Sequence, residues 1–199
     1  MKILVLSDQE SLSLYEHYSP EKLAGIDLII ACGDLKPEYL EFFSTMTNNT
    51  LVYVLGNHDK WYLKKKAGGC ICIEDDIFEY KGIRILGLGG SMRYHPTAPC
   101  QYTEQEMQRR IKKLFWKLHR TKGFDILVTH SPARGVNDME DLPHQGFACF
   151  RELIEKYQPK FFIHGHVHAN YGSGFKREDL FSHTTVINGF EHYIFEYPD

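Results

Sequence analysis

No stretch of this sequence stays apolar long enough to cross a membrane. The N-terminal run Met1-Lys2-Ile3-Leu4-Val5-Leu6 meets the charged Asp8 too early to serve as a secretory segment. Cysteine is scarce: five residues, an odd number without framework spacing, speak against a disulfide scaffold and predict reduced thiols in a cytoplasmic protein. Cys70 and Cys72 share one face of an expected strand, but two thiols cannot complete a four-ligand zinc site. Positive charge is not in excess either. A net charge of −3 with histidines neutral argues against a nucleic-acid-binding surface. The local basic runs, Lys64-Lys65-Lys66 and Arg109-Arg110 with Lys112-Lys113, read as a solvated loop and a solvated helix face. There is no internal repeat, low-complexity segment or linker, so residues 1–199 are expected to form one domain with a substantial core.

What the chain does have is a series of short apolar runs. Residues 2–7, 28–31 and 51–55 are continuous and fit strands covered on both faces. Ser19-Pro20-Glu21 is a helix-start pattern between the first two, and Pro37 to Met46 has helical spacing between the next two. This predicts strand, helix, strand, helix, strand. Shorter strands follow at 70–73, 77–80 and 83–88, with Lys81-Gly82 as the turn of a hairpin that begins a second sheet or extends the first. Thr103 and Glu106 have capping-box spacing, and Met107, Ile111, Leu114, Phe115 and Leu118 then predict one long helix up to Gly123. Strands at 124–128 and 161–163 flank an amphipathic helix at 147–157. Thr184–Ile187 and Tyr193–Tyr197 are expected to close the chain as an antiparallel pair.

Polar clusters follow these strands: Ser7-Asp8-Gln9-Glu10, Gly33-Asp34, Gly56-Asn57-His58-Asp59, Thr129-His130 and Gly165-His166-Val167-His168. Clusters at strand ends can converge at one sheet edge, and carboxylates, an amide oxygen and imidazoles suit hard to borderline divalent ions. Two such ions answer the needs of phosphoester cleavage, because they activate a bridging water and neutralise phosphoryl oxygens. Asp34, after a glycine that permits close backbone approach, is the natural bridge. Asp8 and Glu10 point to one side if the strand stays extended beyond Ser7. His166 and His168 share that spacing, which leaves open whether they serve one ion or one each. Asn57 offers a neutral oxygen; the adjacent His58 then faces substrate as general acid. Asp59 either orients His58 or caps the segment that follows.

In order, these blocks resemble those of the calcineurin-like metallophosphoesterase superfamily: D-x-H, G-D, G-N-H-D/E, a histidine after a strand, and G-H-x-H. Four of the five are met as written, and the resemblance covers residues 5–168. It implies a four-layer α-β-β-α sandwich of two mixed sheets flanked by helices, with the metals at the strand ends. It further implies that Asp8 and His168 bind the first ion with the first-block partner, that Asp34 bridges, and that Asn57, His130 and His166 complete the second. His58 matches the substrate-facing histidine.

Glu10 stands where the family usually has a histidine, and glutamate still ligates through oxygen. Three carboxylates against two dications make a less positive site. Added oxygen ligation favours manganese, with iron, magnesium, nickel or zinc as alternatives. A less positive site loses more attraction for a phosphomonoester dianion than for a diester monoanion, so the expected substrate is a small phosphodiester. Arg93 and Tyr94, in the polar loop after Gly87-Leu88-Gly89-Gly90, are candidates for binding it, by a planar fork and a flat ring. The competing readings are a phosphomonoesterase or nuclease with the same metal core, and a non-catalytic protein-binding scaffold such as the retromer subunit of this superfamily. Retention of His58 and the later histidines argues for catalysis.

Overall fold

The computed structural model describes residues 1–171 and 175–198 of the chain. The first half contributes strands β1 (Lys2–Ser7), β2 (Leu28–Ala31), β3 (Thr50–Tyr53), β4 (Ile71–Cys72), β5 (Asp76–Tyr80) and β6 (Ile83–Leu88), then the short β7 (Ser91–Met92) and β8 (Gln101–Tyr102). The second half contributes β9 (Ile126–Thr129), β10 (Phe161–His164), β11 (Glu178–Phe181), β12 (Thr184–Asn188) and β13 (Glu191–Glu196). Helices α1 (Pro37–Thr47), α2 (Glu104–Lys113), α3 (Phe115–Thr121) and α4 (Ala148–Tyr157), with four short 3-10 turns, complete the described elements. One sheet runs β13-β1-β2-β3-β4 and the other β11-β12-β10-β9-β6-β5, each mixing parallel and antiparallel pairs.

The period-two alternation of the central strands sorts their side chains into separate cores. Ile3, Val5, Leu28, Ile30 and Val52 of the first sheet meet Ile85, Ile126, Val128 and Ile163 of the second in a layer between the sheets. The alternate residues Leu4, Leu6, Ile29 and Leu51 face outward onto Tyr39, Leu40 and Phe43 of α1. Leu86, Leu127 and Phe162 pack on Met107, Leu118, Phe150 and Leu153 from the helices beyond the second sheet. Three apolar layers between four structural ones make the expected sandwich, and they account for the continuous apolar runs: both faces of each central strand are covered.

Several local expectations are corrected. Thr184–Ile187 and Tyr193–Tyr197 do not pair. β12 lies parallel to β10 in the second sheet, and β13 lies antiparallel to β1 in the first. The chain changes sheets at Asn188-Gly189, where Asn188 Nδ2 donates to the Val167 carbonyl and the Gly189 N–H donates to the His164 carbonyl. A Cβ on Gly189 would strike Val5, so glycine is what lets the crossing pass between the sheets. β12 finds its antiparallel neighbour in β11, a strand that opens on two acidic residues, Glu178 and Asp179, and that the apolar pattern did not mark. The long helix is two, divided at Leu114, whose N–H donates to Ile111 and Lys112. That bend keeps Leu114 and Leu118 buried while Phe115 and Trp116 face outward. Ser19-Pro20-Glu21 opens only a single 3-10 turn, Pro20–Leu23. Arg110 does not belong to a solvated face: it is buried and pairs with Glu74 and Asp75.

Candidate metal centre

The polar clusters leave the carboxyl ends of β1, β2, β3, β9 and β10, which lie side by side in the two sheets. β1 stops at Ser7 because Asp8 takes a left-handed conformation, φ 66°, and its N–H donates to the Gly33 carbonyl at 3.1 Å. Asp34 (φ 57°) and His166 (φ 69°) share that conformation. Such backbone is uncommon outside glycine, and its recurrence at three candidate ligands fits a site whose surroundings hold it in place. Two glycines give the room. A Cβ on Gly56 would strike the Asp34 carboxylate, and one on Gly165 would strike the Asp8 carboxylate and the Ser7 hydroxyl.

Asp8, Asp34 and His130 each present a ligand atom within 4.8 Å of the others. The His130 ring is buried, and its Nδ1 lies 2.8 Å from the Cys32 carbonyl, which fixes the N–H on that side. Its Nε2 faces Asn57 Oδ1 at 2.9 Å and Asp34 Oδ2 at 3.4 Å. Asn57 is turned that way because its Nδ2 donates to the Tyr94 hydroxyl at 3.1 Å. Two oxygens and an imidazole nitrogen therefore point at one another, an arrangement that needs a cation among them. Without an ion the cation is a proton: burial pushes His130 down, but Asp34 outweighs it and raises the imidazole to about 9. Burial likewise pushes Asp34 up, yet His130 brings it down to about 2. Among the described residues neither Asp8 nor Asp34 pairs with lysine or arginine, so the buried carboxylates fit divalent ions.

The remaining residues arrange around this group. His168 Nε2 lies 3.5 Å from Asp8 Oδ1, with its ring stacked on Tyr171. Burial raises Asp8, but the His168 hydrogen bond and the His130 charge hold it below its ordinary value. His166 comes after a turn, not along an extended strand as its spacing with His168 suggested. Its N–H donates to the Asp8 carboxylate, its Nε2 lies 2.7 Å from the Pro143 carbonyl, and its ring centre is 4.8 Å from that of His130. Burial, then the His130 charge, pushes His166 down to about 3, leaving a neutral imidazole with Nδ1 available. His58 is exposed; its backbone N–H donates to Asp34 Oδ1 at 2.7 Å. Asp59 bonds not to His58 but to the backbone N–H groups of Gly56 (2.7 Å) and Asp34 (2.9 Å), joining two of the loops. Burial, with Asp34 nearby, raises it to about 7.

Glu10 lies outside the close group. With the strand ended at Asp8, the two carboxylates do not continue along one side, and Glu10 Oε1 lies 3.4 Å from the Lys36 ammonium. Arg93 is likewise occupied: its guanidinium reaches the Gln101 carbonyl at 3.0 Å and Glu106 at 2.8 Å. Sequence reasoning missed His144, which arrives in a loop, bonds Asp141 at 2.6 Å and stands 5.0 Å from the His166 ring. It also missed the half-buried Glu74, whose carboxylate accepts from the N–H of Leu55 at the root of the Asn57 loop. His144 follows no apolar run, and Glu74, although it comes directly after the strand expected at 70–73, falls outside the ordered blocks.

The family model for calcineurin-like phosphoesterases matches residues 1–170. The chain belongs to this family. An uncharacterized protein of Methanocaldococcus jannaschii is 25% identical over 175 residues, covering 81% of this chain and 76% of that one. The human metallophosphoesterase domain-containing protein 1 is 31% identical over 108 residues; the match takes in 52% of this chain and only 31% of the human protein. Among solved structures, the protein TT1561 of Thermus thermophilus shares the fold with a TM-score of 0.65 at 20% identity, over 96% of this chain and 89% of that one. Membership in the calcineurin-like family supports metal-dependent phosphoester hydrolysis, and the Asp8, Asp34 and His130 group is its candidate metal site.

Proposed function

We propose that the chain is a two-metal phosphoesterase acting on a small phosphodiester, with His58 as the general acid. The observation that carries this is the convergence of Asp8, Asp34 and His130, with no lysine or arginine partner for either carboxylate among the described residues. In this reading Asp8 and His168 would hold one ion, Asn57, His130 and His166 would hold the other, and Asp34 would serve both. Divalent ions held there supply charge for the phosphoryl oxygens and lower the pKa of an attacking water. Asn57 is oriented for its ion by Tyr94 and His130 by the Cys32 carbonyl. His58, tethered through its backbone to Asp34, delivers a proton to the departing oxygen. Cys32 packs in the apolar layer between the sheets, so the donors are oxygen and nitrogen, a set that suits manganese, iron or magnesium. The diester preference rests on charge: Arg93 is committed to Glu106 and the Gln101 carbonyl, which leaves it no free fork for a second phosphate charge.

The test is hydrolysis of paired chromogenic monoester and diester substrates by metal-stripped protein refilled separately with manganese, magnesium, iron, nickel or zinc, with bound metal counted. Expected are two ions per chain and diester-selective turnover restored best by manganese. Glu10→Gln is expected to keep both ions, since its carboxylate faces Lys36, whereas Asp34→Ala is expected to lose them. Two bound ions without turnover of either ester under any metal would replace the hydrolase with a binding scaffold.

A further inference from the structure

A cavity of about 490 Å³ opens beside Asn57 and His58. Its walls are aromatic: Trp61, 54% exposed, and Tyr94, 38% exposed, turn large ring surfaces toward water, with His95 and Pro99 completing the rim. The volume lies within the range of small-molecule sites, roughly 300–1,000 Å³. Trp61 is carried on the turn Lys60–Leu63, with one residue between it and His58, so the segment that positions the proton donor also positions the indole.

The opposite wall is held firmly. The Tyr94 and His95 N–H groups both donate to Gln101 Oε1, at 3.2 and 2.9 Å, and Gln101 is buried. The Gln101 carbonyl accepts from Arg93, which is anchored to Glu106 in the capping box of α2. The Tyr94 hydroxyl accepts from Asn57, so the ring is fixed relative to the metal centre. Arg93 thus acts as a strut for this loop, while Tyr94 and the unanticipated Trp61 and His95 face the cavity. The Lys60 ammonium, which also lines the cavity, stands 5.2 Å from the Trp61 ring centre and places positive charge at its mouth.

We infer that this cavity receives the leaving alcohol of the substrate and selects a planar aromatic group on it, an aryl or nucleobase-bearing alcohol, by stacking on Trp61 and Tyr94. Placing the leaving side here rests on the proposed role of His58; the affinity for a flat ring does not. In the step concerned, a water oxygen bonds to phosphorus as the bond from phosphorus to the alcohol oxygen breaks. The water gives up one proton and the alcohol oxygen gains one from His58. A group that must meet His58 at its oxygen has this cavity in front of its carbon skeleton. Stacking of a base on an aromatic side chain is worth roughly 1–3 kcal/mol, or about 5- to 150-fold in affinity.

Binding and turnover are tested separately. The chain has two tryptophans, and Trp116 is 77% exposed on α3, outside the candidate centre. In Trp116→Phe protein, emission therefore reports on Trp61 alone. Saturable quenching by adenosine and by benzyl alcohol, absent with cyclohexylmethanol, is expected. The metal-loaded protein is then given methyl benzyl phosphate, the methyl ester of adenosine 5′-phosphate and methyl cyclohexylmethyl phosphate, and the released alcohol is identified. The aromatic alcohol is expected to leave in preference to methanol, with kcat/KM at least about tenfold above the cyclohexylmethyl ester, a ratio that falls toward one in Trp61→Ala. The larger of the two aromatic ratios names the ring. Absence of quenching, equal quenching by cyclohexylmethanol, or methanol as the released product would overturn the inference. Selective quenching without hydrolysis of any ester would leave the ring site standing and overturn the hydrolase reading instead.

Discussion

His58 is held by its backbone and not by its ring. Its N–H donates to Asp34 Oδ1 while the imidazole stays exposed, so removing the ring spares the bond that joins the Asn57 loop to the Asp34 carboxylate. His58→Ala is therefore expected to retain both ions and the parent melting temperature. It should lose roughly 10²- to 10⁴-fold in kcat/KM on diesters of unactivated alcohols, and far less on nitrophenyl esters, whose leaving oxygen needs little protonation. Equal rates for variant and parent on an alkyl ester would remove the acid role. The residues of this centre were legible in sequence because each follows an apolar run that sets its strand and its end. What the sequence hid was any contact made between two such ends. The Asp59 carboxylate joins backbone from the loops after β2 and β3, a meeting that neither loop specifies alone. The contact of Glu10 with Lys36 was hidden for a related reason: the left-handed turn at Asp8 comes with the close fit of its loop against Gly33, and spacing along an ideal strand does not register it.

At the scale of elements, α2 braces the centre through one buried cation. Arg110 Nε donates to Asp75 at 2.8 Å, Nη1 to the Gly89 carbonyl at 2.7 Å and Nη2 to Glu74 at 2.5 Å, while its guanidinium lies 4.3 Å from the Tyr102 ring centre. Glu74 in turn accepts from Leu55 and Gly89, the entries to the Asn57 loop and to the loop carrying Arg93 and Tyr94. Burial raises the Glu74 carboxyl, and Arg110 is the charge that opposes this. Arg110→Ala leaves the half-buried Glu74 carboxylate without its cation, which is expected to cost about 1–3 kcal/mol, against about 0.5 kcal/mol or less for the exposed Arg109→Ala. Lysine, with a single ammonium, cannot span three acceptors, so Arg110→Lys is expected to recover only part of the loss. Urea denaturation of the three variants measures this, and equal stability of Arg109→Ala and Arg110→Ala would refute it. The sequence did hold the clue. Arg110 falls three residues after Met107 and four before Leu114, on the apolar stripe and off the charged face, but within a run of cations its charge masked its phase. The division of the helix at Leu114 had no such clue, since neither glycine nor proline stands there.

Across the whole molecule, the two ends of the parallel strands carry different duties. Their carboxyl ends deliver Asp8, Asp34, Asn57, His130 and His166, with strained backbone and buried charge. The opposite ends are clamped by carboxylates that precede a strand: Asp27 before β2 accepts from the Lys2 N–H and Lys81, and Asp125 before β9 accepts from Arg84 on β6. The sequence showed the runs that order each sheet, but it did not show which strands close them, because β13 returns to β1 through contacts far apart in the chain. The clamp at Asp125 lets stability be moved without moving the site. Arg84 binds Asp125 through Nε at 2.8 Å, Nη2 at 2.6 Å and its backbone N–H at 2.8 Å, and this hydrogen bonding lowers the Asp125 carboxyl below its ordinary value. A carboxyl lowered on folding stabilises the native state above its unfolded pKa, about 3.9, and loses that contribution as the pH falls through the folded value. Asp125→Asn is therefore expected to melt below the parent at pH 6 to 7, with the gap narrowing as the pH approaches 3, because the parent then surrenders what the variant lacks. Phosphodiester turnover of the metal-loaded variant at 25 °C should match the parent, since the clamp and His130 stand at opposite ends of β9. A melting gap that stays constant from pH 7 to pH 3 would assign the effect of the substitution to packing and remove the charge of Asp125 from the account.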